Sequence, residues 1–503
     1  MTPQVTVATL ARLVGGRVLG DGAQQVHGVA HDSRAVRPGD LFVAVCGDNV
    51  DGSKFAADAV RRGAVAIVSE TDLALDVPQI VVDDARNVLP TVAEETFGRP
   101  THSLQVVGIT GTNGKTTVAW LIESVIAACG GRPALMGTVL FRGPRSSLPA
   151  QHTTPEGDDI SRFARTVLDE GATHLVMEVS SHGLALSRVE AVDFDIAVFT
   201  NLTQDHLDFH GDLEAYGAAK ARLFLELQPA HAVINVDDAF GAALASRIRI
   251  PLYRCSTTAG PHVEIGVREW EMDRSGIRAT VVTPAGEGKL RSPLIGAHNL
   301  ENLLVATGCG LALGYGLATV LEGLADAKGA PGRLERVEHD GDVAVLVDYA
   351  HTPDALGRAL AALRPVTPGR LIAVFGCGGD RDRGKRAQMG EQAARTADLC
   401  VVTNDNPRTE DPDAIIAQIL PGVAAAGVPE IEVAQLGDAT SGFVKLTDRA
   451  SAIDLALRAA RAGDTVLIAG KGHEDYQIIG TEKRHFDDRE VARATIGRLA
   501  REA

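Results

Sequence analysis

The segment GITGTNGKTT, residues 108–117, joins an apolar run, LQVVGIT, to a stretch of helical spacing, KTTVAWLIESVIAACG. A glycine-rich turn between a strand and a helix can wrap phosphate oxygens with backbone N–H groups, and the positive end of the helix dipole favours the anion. Here Gly111, Thr112, Asn113, Gly114, Lys115, Thr116 and Thr117 would form that cradle. Lys115 would reach the terminal phosphates, and the Thr116 hydroxyl would be a ligand for Mg2+. The pattern departs from the general phosphate loop, because Ile109 and not glycine stands five residues before Gly114. The plain alternative is a Gly-rich turn, but the Gly-Lys-Thr ending between strand and helix favours a nucleotide.

Three further places carry chemistry-bearing residue types. Glu178 ends the apolar run HLVMEVS, and His206 follows IAVFTNL. Both are expected at carboxyl ends of parallel strands, the edge that faces the ligand crevice. A carboxylate and an imidazole there suit Mg2+ beside a nucleotide, although imidazole is a soft partner for so hard an ion. Taken alone, His206 is a hydrogen-bonded loop histidine. Lys220 lies on a helical stretch among Ala218, Ala219, Ala221, Leu223 and Phe224. Periodicity alone makes it a solvated lysine, whereas an apolar setting would lower its pKa. Asp405-Asn406-Pro407-Arg408 closes a turn after LCVVTN. A proline turn after a strand is common, but a guanidinium there can grip a carboxylate through its planar fork.

The elements that must hold these residues are those of an α/β protein. With 503 residues the chain is too long for one core, and about three domains are expected. Residues 1–103 read as a small α/β unit, with VTVATLARLVGG helical, DLFVAVCG and VAIVSE as strands, and FGRPTHS as a linker. Residues 104–334 alternate strands and helices around a phosphate loop. Within them, 263–296 reads as an antiparallel addition on the same domain. Residues 335–503 carry four more buried strands, VAVLVDYA, RLIAVFG, LCVVTND and DTVLIAG, a second open parallel sheet of Rossmann-like type. Leu303 to Leu321 is uncharged, but Gly308, Gly310, Gly314 and Gly316 break it, so it reads as two buried helices and a turn rather than a membrane span.

Composition narrows the function. A net charge of −16 argues against a nucleic-acid partner. Six cysteines without CxxC spacing give no zinc or redox motif and fit a reducing compartment. The first residues lack a basic start and apolar run, so no signal peptide is expected, and the reading is a cytoplasmic protein without stable membrane insertion. Nothing in the sequence fixes the oligomeric state, and a monomer is expected.

The loop GTNGKTT resembles that of the Mur ligases and the folylpolyglutamate synthases. MEVSSHGL (177–184), NLTQDHLDFHG (201–211), AYGAAKARLF (215–224) and GAHNLENLLVA (296–306) resemble motifs of the Mur ligase central domain. DYAHTPDAL (348–356), FGCGGDRDRGKR (375–386), DNPRTEDP (405–412) and GKGHEDYQ (470–477) resemble its C-terminal domain. HDSRAVRPGDLFVAVCG (31–47) resembles the UDP-binding N-terminal domain of the branch that adds the third residue of the peptide. The resemblance runs in order over essentially the whole chain. It implies a three-domain ligase that binds UDP at 1–103, ATP at 104–334 and an amino acid at 335–503.

What the resemblance implies residue by residue is as follows. Thr116, Glu178 and His206 hold Mg2+, and Lys220 does so as a carbamate formed with CO2. Asn302 and His351 lie near adenine, Asp348 near ribose, and Arg333 near the phosphates. Ser33 meets the uridine end of UDP-N-acetylmuramoyl-L-alanyl-D-glutamate, and Thr153, Thr154, Ser180 and Arg188 meet its muramoyl-dipeptide. Apart from the resemblance, Asn299 and Asn302 read as helix N-caps, which is compatible with Asn299 at least. Arg381, Asp405, Asn406, Pro407, Arg408, Gly470 and Glu474 take the amino acid. The Arg408 form resembles the branch that uses meso-diaminopimelate, whose second carboxylate matches that fork. The implied reaction passes through an acyl phosphate on the D-glutamate γ-carboxylate, with Lys115 among the catalytic groups and closure of the third domain on the second. Two rivals remain: a folylpolyglutamate synthase, and a non-catalytic nucleotide-binding regulator on the same fold.

Overall fold

The structure, a computed structural model, describes residues 5–47 and 51–502. The chain forms two compact units. One comprises Met1–Arg268, Thr280–Lys289 and Glu301–Leu324, the other Glu269–Ala279, Leu290–Leu300 and Ala325–Ala503.

The first unit contains two main sheets, besides the short antiparallel pair Val5–Thr6 with Gln25–Val26. The smaller runs Arg17–Leu19, Gln79–Val81, Ala66–Ser69, Asp40–Val43, Gly28–Ala30, with the first strand antiparallel and the others parallel. The helix Val7–Leu13 is capped by the Thr6 hydroxyl and lays Leu10 on a core with Val43, Val68 and Leu89. The expected linker FGRPTHS is packed instead. Thr101 is fully buried, and both its N–H and its hydroxyl donate to Glu94.

The larger sheet has six parallel strands in the order Pro133–Met136, His174–Glu178, Gln105–Thr110, Ile196–Phe199, His231–Asn235, Leu252–Cys255. An antiparallel hairpin, Leu140–Arg142 with Ser147–Pro149, extends one edge. The parallel strands are continuous apolar runs because helices cover both faces. The chain leaves Gln105–Thr110 first towards one side and later towards the other. Its carboxyl end is therefore a switch point, where open parallel sheets hold ligands.

The sheet of the second unit runs Glu335–Arg336, Ala344–Asp348, Thr465–Ala469, Leu371–Phe375, Leu399–Val402, Gly442–Lys445. The first strand is antiparallel and the other five are parallel. Two apolar clusters flank it, one around Leu346, Phe375 and Met389 and one around Val347, Val374 and Ile453. The four expected strands are present. Gly442–Lys445, short and ending in lysine, gave no clear sequence signal.

The strands Gly266–Asp273, Gly276–Thr283 and Gly286–Ser292 form a three-stranded sheet of their own. Two readings need correction. Asn299 is no N-cap: it lies inside the helix Ala297–Ala312 and its side chain donates to the Ile295 carbonyl. His206 is not at a strand end. The strand stops at Phe199, and His206 precedes the short helix Leu207–His210 in a left-handed conformation. The uncharged 303–321 stretch is the expected helix, turn and helix, and no helix of the described residues is long and apolar enough to cross a membrane.

Candidate active site

The phosphate loop sits where the switch point places it, between Gln105–Thr110 and the helix Lys115–Ala128. Two of its glycines are required by space. A β-carbon on Gly111 (φ +147°) would fall 1.9 Å from Thr200 Oγ1, and one on Gly114 (φ +87°) 2.5 Å from Asn302 Oδ1. The segment after the neighbouring strand braces the loop. Thr112 N–H donates to the Asn201 carbonyl, Asn113 N–H to Asn201 Oδ1, and the Thr200 hydroxyl to the Asn113 carbonyl. Lys115 Nζ lies over the loop, 2.9 Å from the Gly111 carbonyl and 3.0 Å from that of Thr112. Asn302, expected near adenine, is buried against this loop. Thr117 is buried in the first turn of the helix.

Glu178 ends its strand beside the loop and is 1% exposed. The Thr116 hydroxyl donates to its Oε2 at 2.9 Å, while Thr138 donates its N–H to Oε1 and its hydroxyl to Oε2. Thr138, which no sequence signal marked, thus positions the carboxylate. Lys220 is also 1% exposed, contrary to its periodicity. Its Nζ donates to the Gly111 carbonyl at 2.9 Å and stands 4.3 Å from the centre of the Tyr216 ring. Burial first, then the charge of Lys115, push its pKa well below the ordinary lysine value, with Asp205 opposing. His206 is exposed and stands against His182, Tyr216 and Asp205. It is drawn to the rim rather than to Glu178. Its φ of +52° is costly for a side chain bearing a β-carbon, and such strain gathers at functional sites.

The four residues expected at the muramoyl-dipeptide come together. The Thr153 hydroxyl is 3.0 Å from that of Thr138. The Thr154 hydroxyl donates to the Glu178 carbonyl and accepts from Ser180 N–H. Arg188 donates to the Thr154 carbonyl and pairs with Glu156 at 2.7 Å, so it is no free surface charge. Ser33 is buried at the start of a turn capped by Asp32. Next to that turn, His31 bonds Asp158 at 2.8 Å. Burial works against its charge, but that hydrogen bond and the carboxylates of Asp158, Asp159 and Glu156 outweigh it and raise its pKa to about 9.

The second unit gathers its site at the carboxyl ends of its strands. Asp348 accepts N–H bonds from Leu334 and Ala350. Arg333 lies 5.2 Å from the Tyr349 ring, which also meets His351 at 4.6 Å. Asp405 and Asn406 are buried. Gly470 (φ +123°) has no room for a side chain, since a β-carbon would lie 2.5 Å from Asp405 Oδ2. Pro407 presses its carbonyl on Gly379, at 1.8 Å from where a β-carbon would stand. Arg408, at φ +52°, donates Nη1 to the Gly379 carbonyl at 2.8 Å. Its N–H donates to the Ile478 carbonyl and its own carbonyl accepts from Gly480. Arg381 is exposed beside Gly378, which Arg408 also flanks. Glu474 accepts from Asn406 Nδ2 at 3.0 Å. Tyr349 feels the charges of Glu474, Arg333, Asp405 and Arg381, and burial first of all raises its pKa. Opposite charges thus stand at this edge of the sheet, Arg408 and Arg381 beside Gly378 and Glu474 beside Asn406.

Comparison with known proteins shows the family. The family models described as Mur ligase family, catalytic domain, as Mur ligase middle domain and as Mur ligase, glutamate ligase domain match residues 25–97, 109–310 and 332–472. The UDP-N-acetylmuramoyl-L-alanyl-D-glutamate–2,6-diaminopimelate ligase of Geobacter metallireducens is 47% identical and aligns over 98% of both chains. That of Gloeobacter violaceus is 48% identical over 94% of each. A solved structure of a ligase of that name is 34% identical, with a TM-score of 0.73, covering 99% of this chain and 100% of the other. The MurF ligase from Thermotoga maritima in complex with ADP, at 20% identity and a TM-score of 0.64, shares the fold. On these matches the chain belongs to the Mur ligase family.

Proposed function

We propose that this chain is a cytoplasmic ATP-dependent ligase that joins meso-2,6-diaminopimelate to the D-glutamate γ-carboxylate of UDP-N-acetylmuramoyl-L-alanyl-D-glutamate, a step in peptidoglycan synthesis. The observation that carries the acceptor is Arg408. Only its Nη1 is engaged among the described residues, which leaves Nε and Nη2 for a carboxylate. Meso-diaminopimelate is lysine with an extra carboxylate at its far end, and the relatives' printed names state the same acceptor.

The oxygen donors of Thr116 and Glu178, 2.9 Å apart and buried beside the phosphate loop, fit a hard cation such as Mg2+. Burial lowers the pKa of Lys220, which favours the neutral amine that takes up CO2 as a carbamate. Exposed His206 would join them from the rim. Mg2+ would supply charge neutralisation at the transferring phosphoryl group. Lys115 would exchange the carbonyls of Gly111 and Thr112 for the terminal phosphate oxygens of ATP. Thr153, Thr154, Ser180 and Arg188 would orient the muramoyl-dipeptide so that its γ-carboxylate attacks the γ-phosphate and gives an acyl phosphate and ADP. Asn302, Arg333, Asp348 and His351 would hold the nucleotide, and Ser33 the uridine. Asp405, Asn406, Arg408, Gly470 and Glu474, with Arg381, would hold the acceptor while its amine attacks the acyl carbon and phosphate leaves. We read the working form as a monomer.

An acceptor screen tests the reading. Phosphate release is measured with ATP, Mg2+ and the UDP-muramoyl dipeptide against meso-diaminopimelate, L-lysine and L-ornithine. Turnover with meso-diaminopimelate well above the other two is expected, and equal or greater turnover with L-lysine would refute the named acceptor. Release only with a reduced folate and glutamate would favour a folylpolyglutamate synthase, whose solved structure from Mycobacterium tuberculosis shares the fold at 19% identity and a TM-score of 0.58.

A further inference from the structure

Lys471 follows Gly470 at the end of the strand Thr465–Ala469, and its side chain is wholly buried. A buried ammonium is costly unless it is paired and hydrogen-bonded. This one is both. Its Nζ lies 3.0 Å from Glu474 Oε2, 3.2 Å from Asn406 Oδ1, and 5.3 Å from the centre of the Tyr476 ring. Ile478 N–H also donates to Asn406 Oδ1, at 3.0 Å. Two donors on one atom fix which end of the amide is the oxygen. Asn406 Nδ2 must then point the other way, and it donates to Glu474 Oε2 at 3.0 Å.

From this geometry we infer that Lys471 is a positioning residue for the amino-acid acceptor, and that it sets the orientation of both Asn406 and Glu474. The inference rests on the acceptor reading given above, in which Glu474 helps to hold the diamino acid, and takes an ammonium of that acid as the group that meets this carboxylate. Lys471 and Asn406 together commit one carboxylate oxygen of Glu474. A carboxylate has about four lone-pair sites, so capacity remains for an incoming cation. The charge of Lys471 also keeps Glu474 from being an isolated, partly buried anion before that cation arrives. Without Lys471, Asn406 loses one of the two donors that fix its amide, and Glu474 loses its only cationic partner among the described residues.

The test uses the full-length enzyme and steady-state kinetics with each substrate varied in turn. Lys471→Met should raise the KM for meso-diaminopimelate by about ten- to hundredfold, the loss of a charge-assisted contact. The KM values for ATP and the UDP-muramoyl dipeptide should stay within about twofold. Glu474→Gln should raise the same KM, and Lys471→Met should add little in the Glu474→Gln background, because its effect runs through that carboxylate. Lys471→Gln, which keeps a donor of shorter reach, is the second variant if the methionine protein does not fold. Equal damage to all three KM values, or additive effects in the double variant, would mean a merely structural lysine and overturn the inference while leaving the acceptor reading intact. An unchanged acceptor KM in Glu474→Gln would instead remove Glu474 from the acceptor site, and the inference with it.

Discussion

Replacing Arg408 by alanine isolates the group that distinguishes meso-diaminopimelate from lysine. In the folded protein the guanidinium spends Nη1 on the Gly379 carbonyl at 2.8 Å, with Nε and Nη2 left over among the described residues. A charge-assisted pair between those donors and a carboxylate is worth about 2–4 kcal/mol when partly buried. Its loss should lower kcat/KM for meso-diaminopimelate by roughly 30- to 800-fold. The bond to Gly379 adds about 1 kcal/mol of stability. Alanine at φ +52° keeps the backbone strain, so thermal unfolding should move by only a few degrees. With L-lysine the intact site leaves the guanidinium without its carboxylate, a penalty that truncation removes. The preference for meso-diaminopimelate should therefore narrow. Arg408→Lys should recover part of the loss, because an ammonium keeps the charge but not the planar fork. Phosphate release with each amino acid over a range of concentrations gives both ratios. If kcat/KM for meso-diaminopimelate over L-lysine stays at its original value in Arg408→Ala, the fork does not select the acceptor and the reasoning fails.

Three other outcomes are expected. Lys115→Ala should abolish ADP formation, since the transferring phosphoryl group loses its principal side-chain cation; near-normal ADP release in that variant would contradict the role of the loop. Lys220→Ala should be almost inactive, with partial rescue by a small carboxylate such as acetate that replaces carbamate oxygens; an unmodified lysine in fully active enzyme under CO2, seen by mass spectrometry, would count against the carbamate. The raised pKa of His31, about 9 against an ordinary 6.5, means that the folded state holds the proton more tightly. Its stabilising contribution is complete below about pH 6.5 and is lost as pH rises through about 9, so the melting temperature should fall over that window and His31→Gln should flatten the fall. A variant whose profile matches the original would show that the pair with Asp158 carries no such linkage.

Local pattern was enough for part of this protein. The alternation of apolar runs and helical stretches announced parallel sheets, because strands buried on both faces need no polar alternation. GTNGKTT was readable because its glycines answer a local demand, a tight turn with backbone turned to phosphate. The resemblance of ordered motifs then implied which residues act. Tertiary structure decided what depends on distant neighbours. Lys220 reads as a solvated helix lysine until the Gly111 carbonyl, 109 positions away, is found 2.9 Å from it. Thr138 carries no motif, and it matters only because its strand edge lies beside Glu178. The strand Thr465–Ala469 enters between Ala344–Asp348 and Leu371–Phe375, far earlier in the chain, and so brings Lys471 and Glu474 beside Asn406. Sequence periodicity records which face of an element is apolar. It does not record which element will cover that face, and the charge state of a buried lysine or carboxylate is set by that cover.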